Sequence, residues 1–176
     1  MAGNKPVAEF IAINIAVVTV SDTRTEETDT SGAWLRQALL DAGHRCHGKT
    51  ICKDDVYRLR ALVAELIADD SVHAVLVTGG TGFTKRDNTV VAISPLFDSS
   101  IDGFGELFRQ LSWQEIGTST IQSRAFAGLS NSTAVFCMPG STGACKTAWN
   151  GIIREQLDSR HRPCNFVDRL LQKGSV

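Results

Sequence analysis

The feature that most constrains the fold is the alternation of β-branched apolar runs with amphipathic stretches. I-A-I-N-I-A-V-V-T-V (Ile11 to Val20) reads as a strand buried on both faces. Behind the polar loop S-D-T-R-T-E-E-T-D-T-S-G, residues Leu35, Ala38, Leu39 and Ala42 recur at i, i+3, i+4 and i+7. That is one helical stripe, which Asp29, Thr30 or Ser31 can cap and Gly43 can end. A short strand follows at Cys46 to Ile51, then a helix with Leu59, Leu62, Val63, Leu66 and Ile67 on one face. V-H-A-V-L-V (Val72 to Val77) is the next strand. T-V-V-A-I-S-P-L-F is a short helix stopped near Pro95. D-G-F-G-E-L-F-R-Q-L runs from a loop into another helix, and S-R-A-F-A-G-L (Ser123 to Leu129) reads as one more short helix. T-A-V-F-C-M (Thr133 to Met138) is a strand. Pro139, Gly140 and Ser141 break it and open a final helix carrying Trp149, Ile152, Ile153 and Leu157 on one face. The pattern predicts an α/β protein with one mostly parallel sheet and helices on both faces.

Size and charge narrow the class. The 176 residues suit a single domain with its own core, residues 11–176, behind a flexible N-terminal tail of residues 1–10. The formal net charge of −1 gives no broad basic surface for nucleic acid. No apolar run approaches a membrane span, and the first ten residues lack the apolar stretch of a signal peptide. The five cysteines are odd in number and form no C-x-x-C pair, which points to free thiols in a reducing cytoplasm. H-R-C-H (His44 to His47) has no second ligand cluster at metal-like spacing and reads as a polar turn.

In parallel sheets ligands bind beyond the carboxyl ends of the strands. Three strand ends carry small or polar residues suited to that. The first ends in Thr19, Ser21 and Asp22, with Ser21 a candidate ligand contact. The third ends in T-G-G-T-G-F-T-K-R-D (Thr78 to Asp87), and the last in P-G-S-T-G-A (Pro139 to Ala144). Glycines admit an anion close to the backbone, and helix starts offer free N–H groups. The Thr78–Asp87 stretch is neither a P-loop, since Lys85 follows Thr84, nor a dinucleotide fingerprint, since Lys85 stands where the third glycine belongs. Asp87 either caps a helix beginning at Asn88 or holds a cation, Mg²⁺ above all, between itself and a phosphate. Asp54 and Asp55, just beyond the second strand, stand at the same sheet edge; Arg86 and Arg124 are candidate partners for phosphate charge.

V-S-D…D-T-S-G, K-D-D, T-G-G-T-G-F-T-K-R-D, G-F-G-E-L-F-R, G-T-S-T-I-Q-S-R-A and M-P-G-S-T occur in that order from about Ile13 to Phe166. Together they resemble the MoaB/MogA family of molybdenum-cofactor biosynthesis proteins. R-H-R-P-C-N-F and W-N-G-I-I bring the chain closer to the MoaB branch. The resemblance implies a three-layer α/β/α sandwich, assembly into homotrimers or homohexamers, and binding of molybdopterin, a pterin with a dithiolene and a terminal phosphate. It implies adenylylation: AMP passes from Mg·ATP to that phosphate and pyrophosphate is released. Asp87 and Asp54 would be the catalytic, Mg²⁺-holding aspartates. Gly79, Gly80, Thr81, Gly82, Ser123, Arg124, Pro139, Gly140 and Ser141 would contact nucleotide and pterin. Cys145 is not needed as a nucleophile and is expected to pack within the last helix. Two departures stand out. The x-T-P-E-A that follows R-D in active members is Asn88-Thr89-Val90-Val91-Ala92 here, and Gly143 replaces a common lysine, with Lys146 three residues on. A paralogue that binds molybdopterin or a precursor without turnover is the alternative. A third reading is an assembly protein that organises other pathway enzymes, with the apolar Trp113 and Phe108 at an interface.

Overall fold

The computed structural model describes residues 9–174. Of the expected tail, residues 1–8 lie outside the described residues. Glu9 and Phe10 are docked: the Ser159 hydroxyl donates to the Glu9 carbonyl at 2.7 Å, and the Phe10 ring sits 5.1 Å from that of His44.

The chain builds β1 (Asn14–Val20), α1 (Thr30–Asp41), β2 (Arg45–Cys52), α2 (Val56–Ala68), β3 (Ala74–Thr78) and α3 (Thr89–Ile93). A 3₁₀ turn at Ser94–Leu96 leads to the two-residue β4 (Ser99–Ser100) and to α4 (Asp102–Ile116). A second 3₁₀ stretch, Gly117–Gln122, precedes β5 (Phe126–Ser130) and β6 (Thr133–Met138). The last helical stretch is α5 (Thr142–Ala148), a π turn at Trp149–Ile153, and α6 (Arg154–Gln156); α7 (Val167–Leu170) closes the fold.

The sheet order is β2-β1-β3-β6-β5-β4. The first four strands are mutually parallel; β5 runs antiparallel to β6 and β4 antiparallel to β5. β1 and β3 are buried along nearly their whole length, as strands covered on both faces must be. One core packs Ile15, Val17, Leu76 and Phe136 of the sheet against Leu35, Leu39, Phe104, Phe108 and Trp149. The other packs Val18, Val75, Val77 and Val135 against Leu59, Val63, Ile67 and Ile93. Helices therefore cover both faces, and the three-layer α/β/α sandwich is present.

Three expectations are corrected. Ser123–Leu129 is not a helix: Phe126–Ser130 is strand β5. Asn131 (φ 46°) and Ser132 (φ 54°) form the two-residue left-handed turn that matches strand twist, and Ser130 pairs with Thr133 across it. β1 begins at Asn14 rather than Ile11. Phe108 is no surface residue; it is 1% exposed on the buried face of α4, whereas Trp113 is 52% exposed.

Candidate functional site

The strand order places a switch point between β1 and β3: the chain leaves β1 for β2 over one face and returns to β3 over the other. Open α/β sheets form crevices at such points. A cavity of about 450 Å³ lies there, at the carboxyl ends of β1, β3 and β6. Its walls include Ser21, Gly79, Gly80, Thr81, Gly82, Asp87, Ser123, Pro139 and Gly140. Nine residues singled out in the sequence are thus brought together. Asp54, Arg124 and Ser141 stand behind this wall rather than in it.

The glycine turn is built for close approach. Gly79 (φ +106°) and Gly80 (φ +65°) take left-handed backbone that disfavours side chains. A Cβ at Gly79 would lie 2.3 Å from the Val20 carbonyl oxygen. A Cβ at Gly80 would lie 2.3 Å from Thr89 Oγ1 and 2.9 Å from Asp54 Oδ2. Thr89 fastens the turn from behind: its hydroxyl donates to the Gly79 carbonyl at 2.8 Å and its amide to the Gly80 carbonyl at 3.0 Å.

Asp87 does not cap α3. Its Oδ2 accepts from the Thr84 amide at 2.7 Å, closing the Thr84–Asp87 turn and aiming the carboxylate at the position Gly82 keeps empty. Asp54 reaches α3 instead: its Oδ1 accepts from the Asn88 amide at 3.0 Å. Asp54 Oδ2 thus lies against Gly80 and the Asp87 carboxylate against Gly82. Burial is the largest influence on Asp54, and the negative charges of Asp87 and Asp22 add to it. Together they hold its carboxyl above the ordinary value despite the bonds from Asn88. Burial also opposes the charge on Asp87, but hydrogen bonds from Thr84 and Gly82 and the Arg124 charge outweigh it and lower the value. Two neighbouring carboxyls are thus pushed apart. Asp55 has another duty, capping α2 through the Tyr57 and Arg58 amides.

Arg124 is not a free cation for phosphate. Its guanidinium donates to the carbonyls of Thr81 (3.2 Å), Gly82 and Asp87 (3.0 Å), and lies 4.8 Å from the Phe83 ring centroid. Arginine's planar fork suits that clamp. Arg86 pairs with Asp22, whose other oxygen accepts from the Asp54 amide at 3.3 Å. Ser141 is the N-cap of α5 and accepts from the Ala144 amide at 3.1 Å.

Sequence reasoning missed part of the wall. Arg24, Ile116, Ser119 and Gln122 also line the cavity. Asp29, expected only as a cap, does cap α1 through the Gly32 amide, but it is also a buried anion, 1% exposed. The Thr19 hydroxyl and the Lys49 ammonium each donate to its Oδ2 at 2.8 Å. Burial opposes its charge; Lys49, Gly32 and Thr19 outweigh burial and hold its carboxyl below the ordinary value.

The two departures lie outside this cavity, although Val90, in place of the proline, borders the cavity beside it. Val91, where the missing acid would stand, lines neither this cavity nor the one beside it, and its carbonyl accepts from Arg60 at 2.8 Å. Gly143 and Lys146 lie together on the far side of α5, where they share a groove with Leu111 and Glu115.

All five cysteines are free; Cys145 is buried and hydrogen-bonded to Thr78 Oγ1 at 3.2 Å, which fits a packing role. Among the described residues no helix is long and apolar enough to cross a membrane, and no three His, Cys, Asp or Glu side chains converge as a self-contained metal cage.

Known proteins resemble this chain along most of its length. The family model described as "Probable molybdopterin binding domain" matches residues 16–159. Molybdenum cofactor biosynthesis protein B of Escherichia coli (strain K12) is 56% identical over 162 residues, covering 92% of this chain and 95% of that protein. A crystal structure of a molybdenum cofactor biosynthesis protein B superposes with a TM-score of 0.81 at 46% identity, covering 84% of this chain and 92% of that one. The tungsten cofactor synthesizing protein MoaB from Pyrococcus furiosus superposes at 0.70 with 35% identity, covering 80% and 90%.

Proposed function

Since the chain belongs to the molybdopterin-binding domain family of molybdenum cofactor biosynthesis, on its MoaB side, we propose that it adenylylates molybdopterin. The observation that carries this reading is the pair Asp54 and Asp87 against the glycine turn, Asp87 in the wall of the β1–β3–β6 cavity and Asp54 behind it beside Gly80. A terminal phosphate oxygen of molybdopterin attacks the α-phosphorus of ATP. The new P–O bond forms as the α–β bridge breaks, and pyrophosphate leaves with the electron pair. Such transfers need positioning and charge neutralisation more than covalent help.

The donor set fits Mg²⁺, which binds through one or two carboxylates plus substrate phosphates rather than an all-protein cage. Asp54 Oδ2 and Asp87 Oδ1 would hold it; when bound it supplies neutralisation of the triphosphate charge. The amides around Gly80 and Gly82 hold phosphate oxygens, and the Arg124 clamp keeps those amides and Asp87 in register. Ser21, Ser123 and the Pro139–Gly140 turn supply further polar contacts. The exposed Trp113, Ile116 and Ile121 supply apolar surface for the proposed homotrimer or homohexamer.

A second reading, a paralogue that binds molybdopterin without turnover, draws on Val90 and Val91 in place of Pro-Glu. The position of Val91 outside both cavities weighs against it, while Val90 borders the second cavity only. Incubation with molybdopterin, ATP and Mg²⁺ separates the two. Adenylylated molybdopterin and an equal amount of pyrophosphate are expected, with Asp87→Asn binding molybdopterin but forming no product. Binding without product in the wild type, beside an active MogA control, would establish the second reading instead.

A further inference from the structure

The H-R-C-H turn plays no part in the glycine site. It lies at the opposite edge of the sheet, where the strands begin, and His44 lines a cavity of about 540 Å³ there. Phe10, Ala42 and the segment after α6 form other walls. His44 is 4% exposed and sits against the Phe10 and Trp149 rings, at 5.1 and 6.5 Å. Its Nδ1 accepts from the Ile13 amide at 3.4 Å. Burial pushes its pKa down to about 4, against the pull of Asp158, so the ring is uncharged at neutral pH. A neutral ring that accepts at Nδ1 carries its proton on Nε2. No described residue accepts a hydrogen bond from Nε2, and no described side-chain nitrogen is both sealed from solvent and unpartnered. Nε2–H therefore opens on the cavity as a fixed, unmatched donor.

The charges around that donor have both signs. Three carboxylates, Asp41, Glu155 and Asp158, and two guanidinium groups, Arg154 and Arg160, line the cavity. Asp158 and Arg160 neutralise each other through side-chain bonds of 2.9 and 2.8 Å. Glu155 has a single weak partner, His161 at 3.9 Å, and the Arg154 guanidinium has none among the described residues. Asp41 is the last residue of α1, and Glu155 lies in the last turn of α6. Helix C-termini are the negative ends of the peptide dipoles, so they reinforce these carboxylates and favour a cation. A bare carboxylate would meet Asp41 and Glu155 unpaired, and a bare ammonium would leave Nε2–H unmatched. A molecule carrying both groups satisfies both demands.

We propose that this cavity binds a small zwitterion of the amino-acid class, its carboxylate accepting from His44 Nε2–H and Arg154 and its ammonium paired with Asp41 and Glu155. The site is independent of the molybdopterin reading, because it lies at the other end of the strands.

Titration of the full chain with glycine, L-leucine and L-phenylalanine tests this, followed by ¹⁵N NMR of the His44 ring and by calorimetry, with acetate and methylammonium as single-group controls. At least one amino acid is expected to shift Nε2 saturably, at concentrations where neither control does. Two substitutions at one position separate binding from folding. His44→Asn puts an acceptor where Nδ1 stands and nothing at Nε2, so the bond from Ile13 is kept and the donor is lost. Affinity should fall about 10- to 100-fold, the scale of a hydrogen bond to a charged group. His44→Gln puts an N–H where Nε2 stands and should keep most of the affinity. Arg154→Gln, at an exposed position, should also weaken binding about 10-fold while the melting temperature stays unchanged. Absence of a saturable shift with all three amino acids would overturn the site, and an equal shift with acetate would overturn the zwitterion. Wild-type affinity in folded His44→Asn or in Arg154→Gln would overturn the carboxylate contacts.

Discussion

Alanine at Gly80 strikes the turn where backbone, Thr89 and Asp54 meet. The residue stands at φ +65°, and left-handed backbone costs an L-residue about 1–2 kcal/mol. The new Cβ would also lie 2.3 Å from Thr89 Oγ1, so that hydroxyl must move and release the buried Gly79 carbonyl. An unsatisfied buried acceptor adds about 1–3 kcal/mol. Gly80→Ala should therefore destabilise the protein by about 2–5 kcal/mol, moving a urea midpoint down by about 1–2 M. Gly103→Ala is the control. A Cβ there meets nothing within 4 Å, the residue is in α4, and alanine should add about 0.5–1 kcal/mol of stability. Thr89→Ala removes the clashing hydroxyl, so Gly80→Ala with Thr89→Ala should be no less stable than Gly80→Ala alone. The single changes would then fail to add. A Gly80→Ala midpoint close to wild type, or strict additivity with Thr89→Ala, would refute the packing behind the glycine turn.

Asp54→Asn should melt higher than wild type at neutral pH, because it removes a buried carboxylate held above its ordinary value. Wild type loses stability as pH rises through that raised value, so the gain should vanish in acid, where Asp54 is itself neutral; a pH-independent difference would contradict this. Lys49→Met leaves buried Asp29 unpaired and should lose about 3–5 kcal/mol, with Asp29→Asn restoring most of it. Asp29 sits below its ordinary value, so its contribution is present above the carboxylate range and lost as pH falls through the folded value; the Lys49→Met deficit should therefore narrow in acid. Arg124→Lys should lose about 1–3 kcal/mol and speed amide exchange from Thr81 to Asp87, since an ammonium cannot span three carbonyls. Unchanged exchange with weakened ligand binding would instead make Arg124 a ligand contact.

The strands that hold the site were legible because they are buried on both faces and so read as unbroken β-branched runs. β5 was not. F-A-G-L-S is short and rich in small residues, and its strand character comes from pairing with β6 across the Asn131–Ser132 turn. Phe108 could have been placed correctly, since Phe104 and Phe108 are one helical turn apart and pack in one core. The glycine turn and Asp87 were visible as a motif. The duty of Arg124 was not, because its partners lie 37 to 43 residues away and a sequence does not distinguish a guanidinium gripping carbonyls from a solvated one. Arg24 reaches the cavity from the loop after β1, and Ile116, Ser119 and Gln122 from the end of α4 and the 3₁₀ stretch behind it, so their approach depends on how α1 and α4 pack.

Electron paramagnetic resonance of Mn²⁺, standing in for Mg²⁺, tests the Asp54–Asp87 site most directly. The two carboxylates are expected to hold the ion well only together with substrate phosphates. Protein with ATP should deplete free Mn²⁺ more than protein and ATP measured separately, and Asp87→Asn should abolish that excess while the protein stays folded. An undiminished excess in both Asp87→Asn and Asp54→Asn would contradict the assignment of these carboxylates to the metal and the triphosphate.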